Sequence, residues 1–110
     1  MKKRVLLAED HSGTIEVMQL ELEVLGYDVT VAQDGQEAVQ KATAEPPDVI
    51  VMDMLMPKMD GFQAASSIRQ NPKTKDIPIL AATALARPGD REKCLESGCD
   101  GYIAKPFTHK

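Results

Sequence analysis

Short apolar runs alternate along this chain with longer segments of helical periodicity. The runs Val5–Ala8, Val29–Ala32, Val49–Met52, Ile79–Ala82 and Tyr102–Ala104 predict β-strands. The first, third and fourth are apolar on both faces, as buried parallel strands are. Between them, Ile15, Met18, Leu22 and Leu25 fall on one face of a helix that stops at Gly26, a natural C-terminal cap. Asp34-Gly35 opens a second helix carrying Ala38, Val39 and Ala42, which must end before Pro46-Pro47. Asp60-Gly61 opens a third, with Phe62, Ala65 and Ile68 inward and Asn71-Pro72 as its stop. A fourth runs from about Pro88, suited to a first helical turn, to Ser97-Gly98.

A βαβαβαβαβ order implies one α/β domain over residues 1–110, with a five-stranded parallel sheet covered on both faces by right-handed crossovers. After the fifth strand, Pro106-Phe107-Thr108 reads as the entry to another helix, with Thr108 as its N-cap, but the sequence stops two residues later at Lys110. The expectation is a chain cut short of its final helix. Cover for the sheet from another copy or a partner is the alternative.

Composition narrows the class. Apolar residues make up 43% and charged residues 27%, ordinary for a globular protein, and the core must be aliphatic because Trp is absent and Phe and Tyr number two each. A net charge of −4 argues against nucleic-acid binding, which needs clustered Lys and Arg. The basic start Lys2-Lys3-Arg4 is a solvated approach to the first strand. Cys94 and Cys99 match neither a redox pair nor a zinc motif, so reduced structural thiols and a cytoplasmic setting are expected. Val5–Ala8 is too short for a signal peptide, and no run approaches a membrane span.

The polar residues that interrupt these runs are not scattered. Glu9 and Asp10 end the first strand, Asp53 the third, Thr83 the fourth and Lys105 the fifth. All the carboxyl ends of a parallel sheet share one edge, and open α/β sheets bind ligands there, where the strand order reverses. Three carboxylates brought together repel, so either their protons are held more tightly or a cation joins them. An all-oxygen site suits a hard ion such as Mg²⁺, or Mn²⁺, which leaves positions for a phosphate. Lys105 adds a mobile positive charge and Thr83 a hydroxyl donor, the complement a phosphoryl group in transfer needs on its equatorial oxygens. One carboxylate is then free to act as the nucleophile and form an acyl phosphate. Any one of these residues alone reads as a turn or cap; five at one edge with complementary charge do not.

The motifs carrying these residues are Glu9-Asp10 after Val5–Ala8, Asp53-Met54-Leu55-Met56-Pro57 followed by Met59-Asp60-Gly61, Pro78-Ile79 leading to Thr83-Ala84, and Gly98-Cys99-Asp100-Gly101-Tyr102 leading to Lys105-Pro106-Phe107. In order and spacing, from residue 4 onward, they resemble the receiver domains of two-component response regulators. That resemblance implies a flavodoxin-like fold with strand order 2-1-3-4-5. It implies that Asp53 accepts a phosphoryl group from a histidine kinase or a histidine phosphotransfer protein. Asp10 and Asp53 would ligate Mg²⁺, with Glu9 acting through water and the Leu55 carbonyl completing the set. Lys105 would pair with a phosphoryl oxygen, and Thr83 would swing in to bond another. Tyr102 would turn inward with Thr83 as a switch, although plain packing against the sheet also explains an aromatic residue there. Pro106 matches the family's cis-peptide position. An unidentified downstream protein would read the change over strands four and five, the domain being a monomer or a phosphorylation-dependent dimer.

Departures from the family pattern qualify this reading. The first acid is Glu9 rather than Asp, and Leu55 and Leu85 flank the route of a hydrolytic water, which predicts slow self-dephosphorylation. His11 reads as a loop residue rather than a catalyst. Leu55 stands where a haloacid dehalogenase-type phosphohydrolase needs a second Asp, and the acidic Glu9-Asp10-His11-Ser12-Gly13 loop has the wrong sign for a flavodoxin's phosphate cradle. A phosphorylation-independent docking module is the remaining alternative.

Overall fold

A computed structural model describes residues 3–53, 61–83, 90–96 and 98–104, without the side chains of residues 82, 83, 90, 91, 94 and 102–104. The strands are β1 (Arg4–Ala8), β2 (Asp28–Ala32), β3 (Val49–Asp53), β4 (Ile79–Thr83) and β5 (Gly101–Ala104). The helices are α1 (Ser12–Val24), α2 (Gly35–Ala44), α3 (Gly61–Gln70) and α4 (Asp90–Glu96). The strands form one wholly parallel sheet in the order β2-β1-β3-β4-β5, so the doubly wound topology expected from the sequence is the one observed.

Alternate residues of β1 and β3 serve different cores. Leu6, Ala8, Ile50, Met52, Ile79 and Ala81 face α2 and α3, where Ala38, Ala42, Ala64, Ala65 and Ile68 meet them. Val5, Leu7 and Val51 face α1 and pack on Met18, with Leu22, Tyr27, Val29 and Val49 partly buried around them. Each fully buried side chain of the size of Leu7 or Ile50 contributes about 1.5–3 kcal/mol. The alanines on α2 and α3 let those helices lie close to the sheet and to each other. On the α1 side, a groove of about 330 Å³ stays open between Lys3, Val5, Leu22, Tyr27, Asp48, Val49, Val51 and Leu80.

Helix ends are fixed locally. Asp34 caps α2, its Oδ1 accepting from the Glu37 amide at 2.7 Å, and Glu37 reaches back to accept from the Gln33 amide at 2.7 Å. The end of α3 is closed by Thr74, whose hydroxyl donates to the Ile68 carbonyl at 2.7 Å. Arg69 then ties α3 to the strands beyond it, donating to the carbonyls of Gly98, Lys75 and Ile77 and to the Asp100 carboxylate. Asp100 in turn accepts from the amide that opens β4, that of Ile79. Lys93 of α4 sits 4.7 Å from the centre of the Phe62 ring of α3, a cation–π contact between the two helices.

One expectation needs correction. Leu25 is not on the inward face of α1; it is the C-cap and 72% exposed. Phe62 packs against the larger core from a partly buried position, as expected of an inward residue, and Gly61 and Ala64 join Ala65 and Ile68 among the buried residues of α3. The expected start of the fourth helix near Pro88, and the Thr108 cap, lie outside the described residues. Cys99 is buried in the larger core as expected, and no helix among the described residues is long and apolar enough to cross a membrane.

Candidate functional site

Register brings the acids together. Ala8 of β1 lies beside Met52 of β3, so the residues that follow, Glu9 and Asp53, come level at the carboxyl edge of the sheet. Glu9 is held there by its amide, which donates to the Ala32 carbonyl at 2.9 Å and so prolongs the β1–β2 pairing by one bond. Its carboxylate accepts from the His11 amide at 3.2 Å. Asp53, the last residue of β3, pairs with Ala82, which puts Thr83 one position further along β4, beside Ala104 of β5.

One carboxylate oxygen from each of Glu9, Asp10 and Asp53 lies within 4.8 Å of the others. Glu9 is 1% exposed and Asp53 6%, whereas Asp10 is exposed, so the cluster is walled by the sheet and opens on Asp10's side. Asp53 is enclosed without being sealed. The donor set is oxygen only and carries up to three negative charges, which matches a hard divalent cation and not a soft one. Opposite ligands of an octahedral Mg²⁺ stand about 4.2 Å apart. A spread of up to 4.8 Å among the three carboxylates is on the scale of one such coordination sphere.

Of the residues singled out in the sequence, Glu9, Asp10 and Asp53 converge. The backbone of Thr83 is at the same edge, but its side chain and that of Tyr102 lie outside the described residues, as do Leu55, Lys105 and Pro106 entirely. His11 has a part that sequence reasoning missed. It is the N-cap of α1, its Nδ1 accepting from the Thr14 amide at 3.2 Å and lying 3.0 Å from the Thr14 hydroxyl. A histidine is an unusual cap, and only its place before Ser12-Gly13-Thr14 hinted at it.

The sequence profile of the response regulator receiver domain matches residues 5–110. The chain belongs to the response regulator receiver family. The receiver is 41% identical over 98% of its length to the alkaline phosphatase synthesis transcriptional regulatory protein PhoP of Bacillus subtilis, covering 44% of that protein. It is 39% identical over 99% of its length to the probable transcriptional regulator ycf27 of Guillardia theta, covering 42% of it. It thus spans less than half the length of these relatives. Among solved structures, the receiver domain of the sensor histidine kinase PA1611 from Pseudomonas aeruginosa, with a magnesium ion coordinated in its active-site cleft, superposes with a TM-score of 0.92 at 41% identity. That likeness covers 98% of this receiver and 88% of the other chain. The chemotaxis response regulator CheY4 of Vibrio cholerae gives 0.92 at 32% identity, covering 98% and 90%.

Proposed function

We propose that this receiver accepts a phosphoryl group on Asp53 from the phosphohistidine of a histidine kinase or histidine phosphotransfer protein, and that the modified domain changes its hold on a downstream protein. The observation that carries the reading is the convergence of Glu9 and Asp10 on Asp53 at the open edge of a parallel sheet. A carboxylate oxygen of Asp53 attacks phosphorus as the P–N bond to the donor imidazole breaks, and the departing ring nitrogen takes up a proton. Mg²⁺, or Mn²⁺, would be held by Asp10, Asp53 and the Leu55 carbonyl and by Glu9 through water, and would supply the positive charge that lets an anionic donor approach three acids. Lys105 and Thr83 bind the phosphoryl oxygens once transferred, which requires both to reach the edge that Asp53 occupies.

The added group carries nearly two negative charges at that edge. It favours the conformer with Thr83 and Tyr102 inward only by as much as it binds that conformer better. Leu55 and Leu85 offer no polar group to orient a hydrolytic water, so the acyl phosphate is long-lived. The domain acts in the cytoplasm as a monomer or a phosphorylation-dependent dimer, and binds neither nucleic acid nor membrane through this segment.

Incubation with acetyl phosphate and Mg²⁺, followed by intact-mass measurement, tests this. A single phosphoryl adduct is expected, abolished in Asp53→Asn and persisting after the donor is removed. No adduct on the parent protein favours the phosphorylation-independent docking module. An adduct that vanishes at once in the purified protein refutes the role given to Leu55 and Leu85.

A further inference from the structure

His11 joins two structures that meet at the site. Its ring nitrogen Nδ1 accepts from the amide of Thr14, and its carbonyl accepts from the amide of Ile15 at 2.9 Å, so the first turn of α1 is built on it. Its own amide donates to the Glu9 carboxylate at 3.2 Å, so one oxygen of a nearly enclosed acid is anchored to the same residue. Asp10 lies between these two attachments in the chain. An amide can only donate, so Nδ1 must be the unprotonated nitrogen and the proton must sit on Nε2. The Thr14 hydroxyl, 3.0 Å away, is then a second donor to Nδ1.

We propose that His11, as the Nε2–H tautomer, is the positioning residue of the acid loop: its cap on α1 and its amide on Glu9 hold Glu9 and Asp10 against Asp53 before a cation arrives. The inference rests on the phospho-acceptor reading given above. The need for such a device follows from charge. Three carboxylates within 4.8 Å spread apart unless the backbone that carries them is fixed. Groups that orient metal ligands from behind change metal affinity by about 10–100-fold when removed.

The test pairs Mn²⁺ binding, followed by electron paramagnetic resonance, with ring ¹⁵N resonances of the metal-free protein. Parent, His11→Ala and His11→Asn are compared. Asn retains an oxygen that caps α1 as Nδ1 does, whereas Ala has none. Expected are a pyridine-like Nδ1 and a pyrrole-like Nε2 in the parent, Mn²⁺ affinity lowered about tenfold in His11→Ala, and recovery of most of that loss in His11→Asn. Circular dichroism at the working temperature selects a condition in which all three proteins are folded. A protonated Nδ1, an unchanged affinity in His11→Ala, or an Asn variant as weak as Ala overturns the proposal. If the parent itself binds no Mn²⁺, the phospho-acceptor reading fails first and the role of His11 falls with it.

Discussion

Replacing Arg69 by Met keeps the apolar stem and removes the four hydrogen bonds by which this side chain fastens α3 to the loops before β4 and β5. The bonds to the Gly98 and Ile77 carbonyls, at 2.8 and 2.6 Å, are part-buried, and Arg69 is only partly exposed. A bond from a charged donor contributes about 1.5–3 kcal/mol, and the low end for each of these two gives about 3 kcal/mol. The Lys75 carbonyl is exposed, so water replaces that bond at little cost. The Asp100 side chain is 57% exposed, so its ion pair adds about 0.5 kcal/mol at most. A loss of about 3 kcal/mol at a urea slope of about 1.5 kcal/mol per M lowers the unfolding midpoint by about 2 M. Urea titration followed by circular dichroism measures it directly. Arg69→Lys recovers at most one of the bonds and stays well below the parent. A midpoint within 0.3 M (about 0.5 kcal/mol) of the parent for Arg69→Met refutes the pin.

Three further outcomes are expected. Gly98→Ala destabilises by about 2 kcal/mol in the same titration, because Gly98 has φ +114° and an added Cβ comes 2.8 Å from Cγ of Arg69. Thr74→Val keeps the shape but leaves the Ile68 carbonyl without its 2.7 Å donor, costing about 1.5 kcal/mol, whereas Thr74→Ser keeps that bond. Glu37 is held below its usual value of 4.5, first by the Gln33 amide and then by Lys41. The unfolded chain therefore takes up that proton at higher pH than the folded one, so this contribution is complete above pH 4.5 and lost as pH falls through the lower folded value. Glu37→Gln should flatten the acid limb of stability against pH and leave its neutral-to-alkaline limb parallel to the parent's.

The strands were legible almost residue by residue, because a sheet buried on both faces demands unbroken apolar runs and this chain has few others. What extended them was hydrogen bonding, which hydrophobicity does not see: β3 and β4 run on to the polar Asp53 and Thr83. The acid cluster was equally readable, since carboxylates at the ends of adjacent parallel strands have nowhere else to go. Helix α1 was harder. It carries a second apolar stripe of Val17, Leu20 and Val24, all exposed, and spacing alone does not say which stripe meets the sheet or that Leu25 lies past the last turn. Arg69 gave no sign at all, because three of its partners are backbone carbonyls, and every residue has one. The cap made by His11 was hidden for a related reason: its acceptor is a ring nitrogen where an oxygen is the common choice.

The acids of the site come from strands that are neighbours in space but not in sequence, with β2 wound out to the edge between them. A fragment that stops before β3 has Glu9 and Asp10 but nothing opposite them, and a molten chain with every helix formed still has no such cluster. An ion that needs all three acids therefore recognises only the finished winding. Its binding energy adds to the folded state alone, in proportion to the logarithm of its concentration once that exceeds the dissociation constant. Resistance to unfolding thus becomes a gauge of how much divalent cation surrounds the molecule.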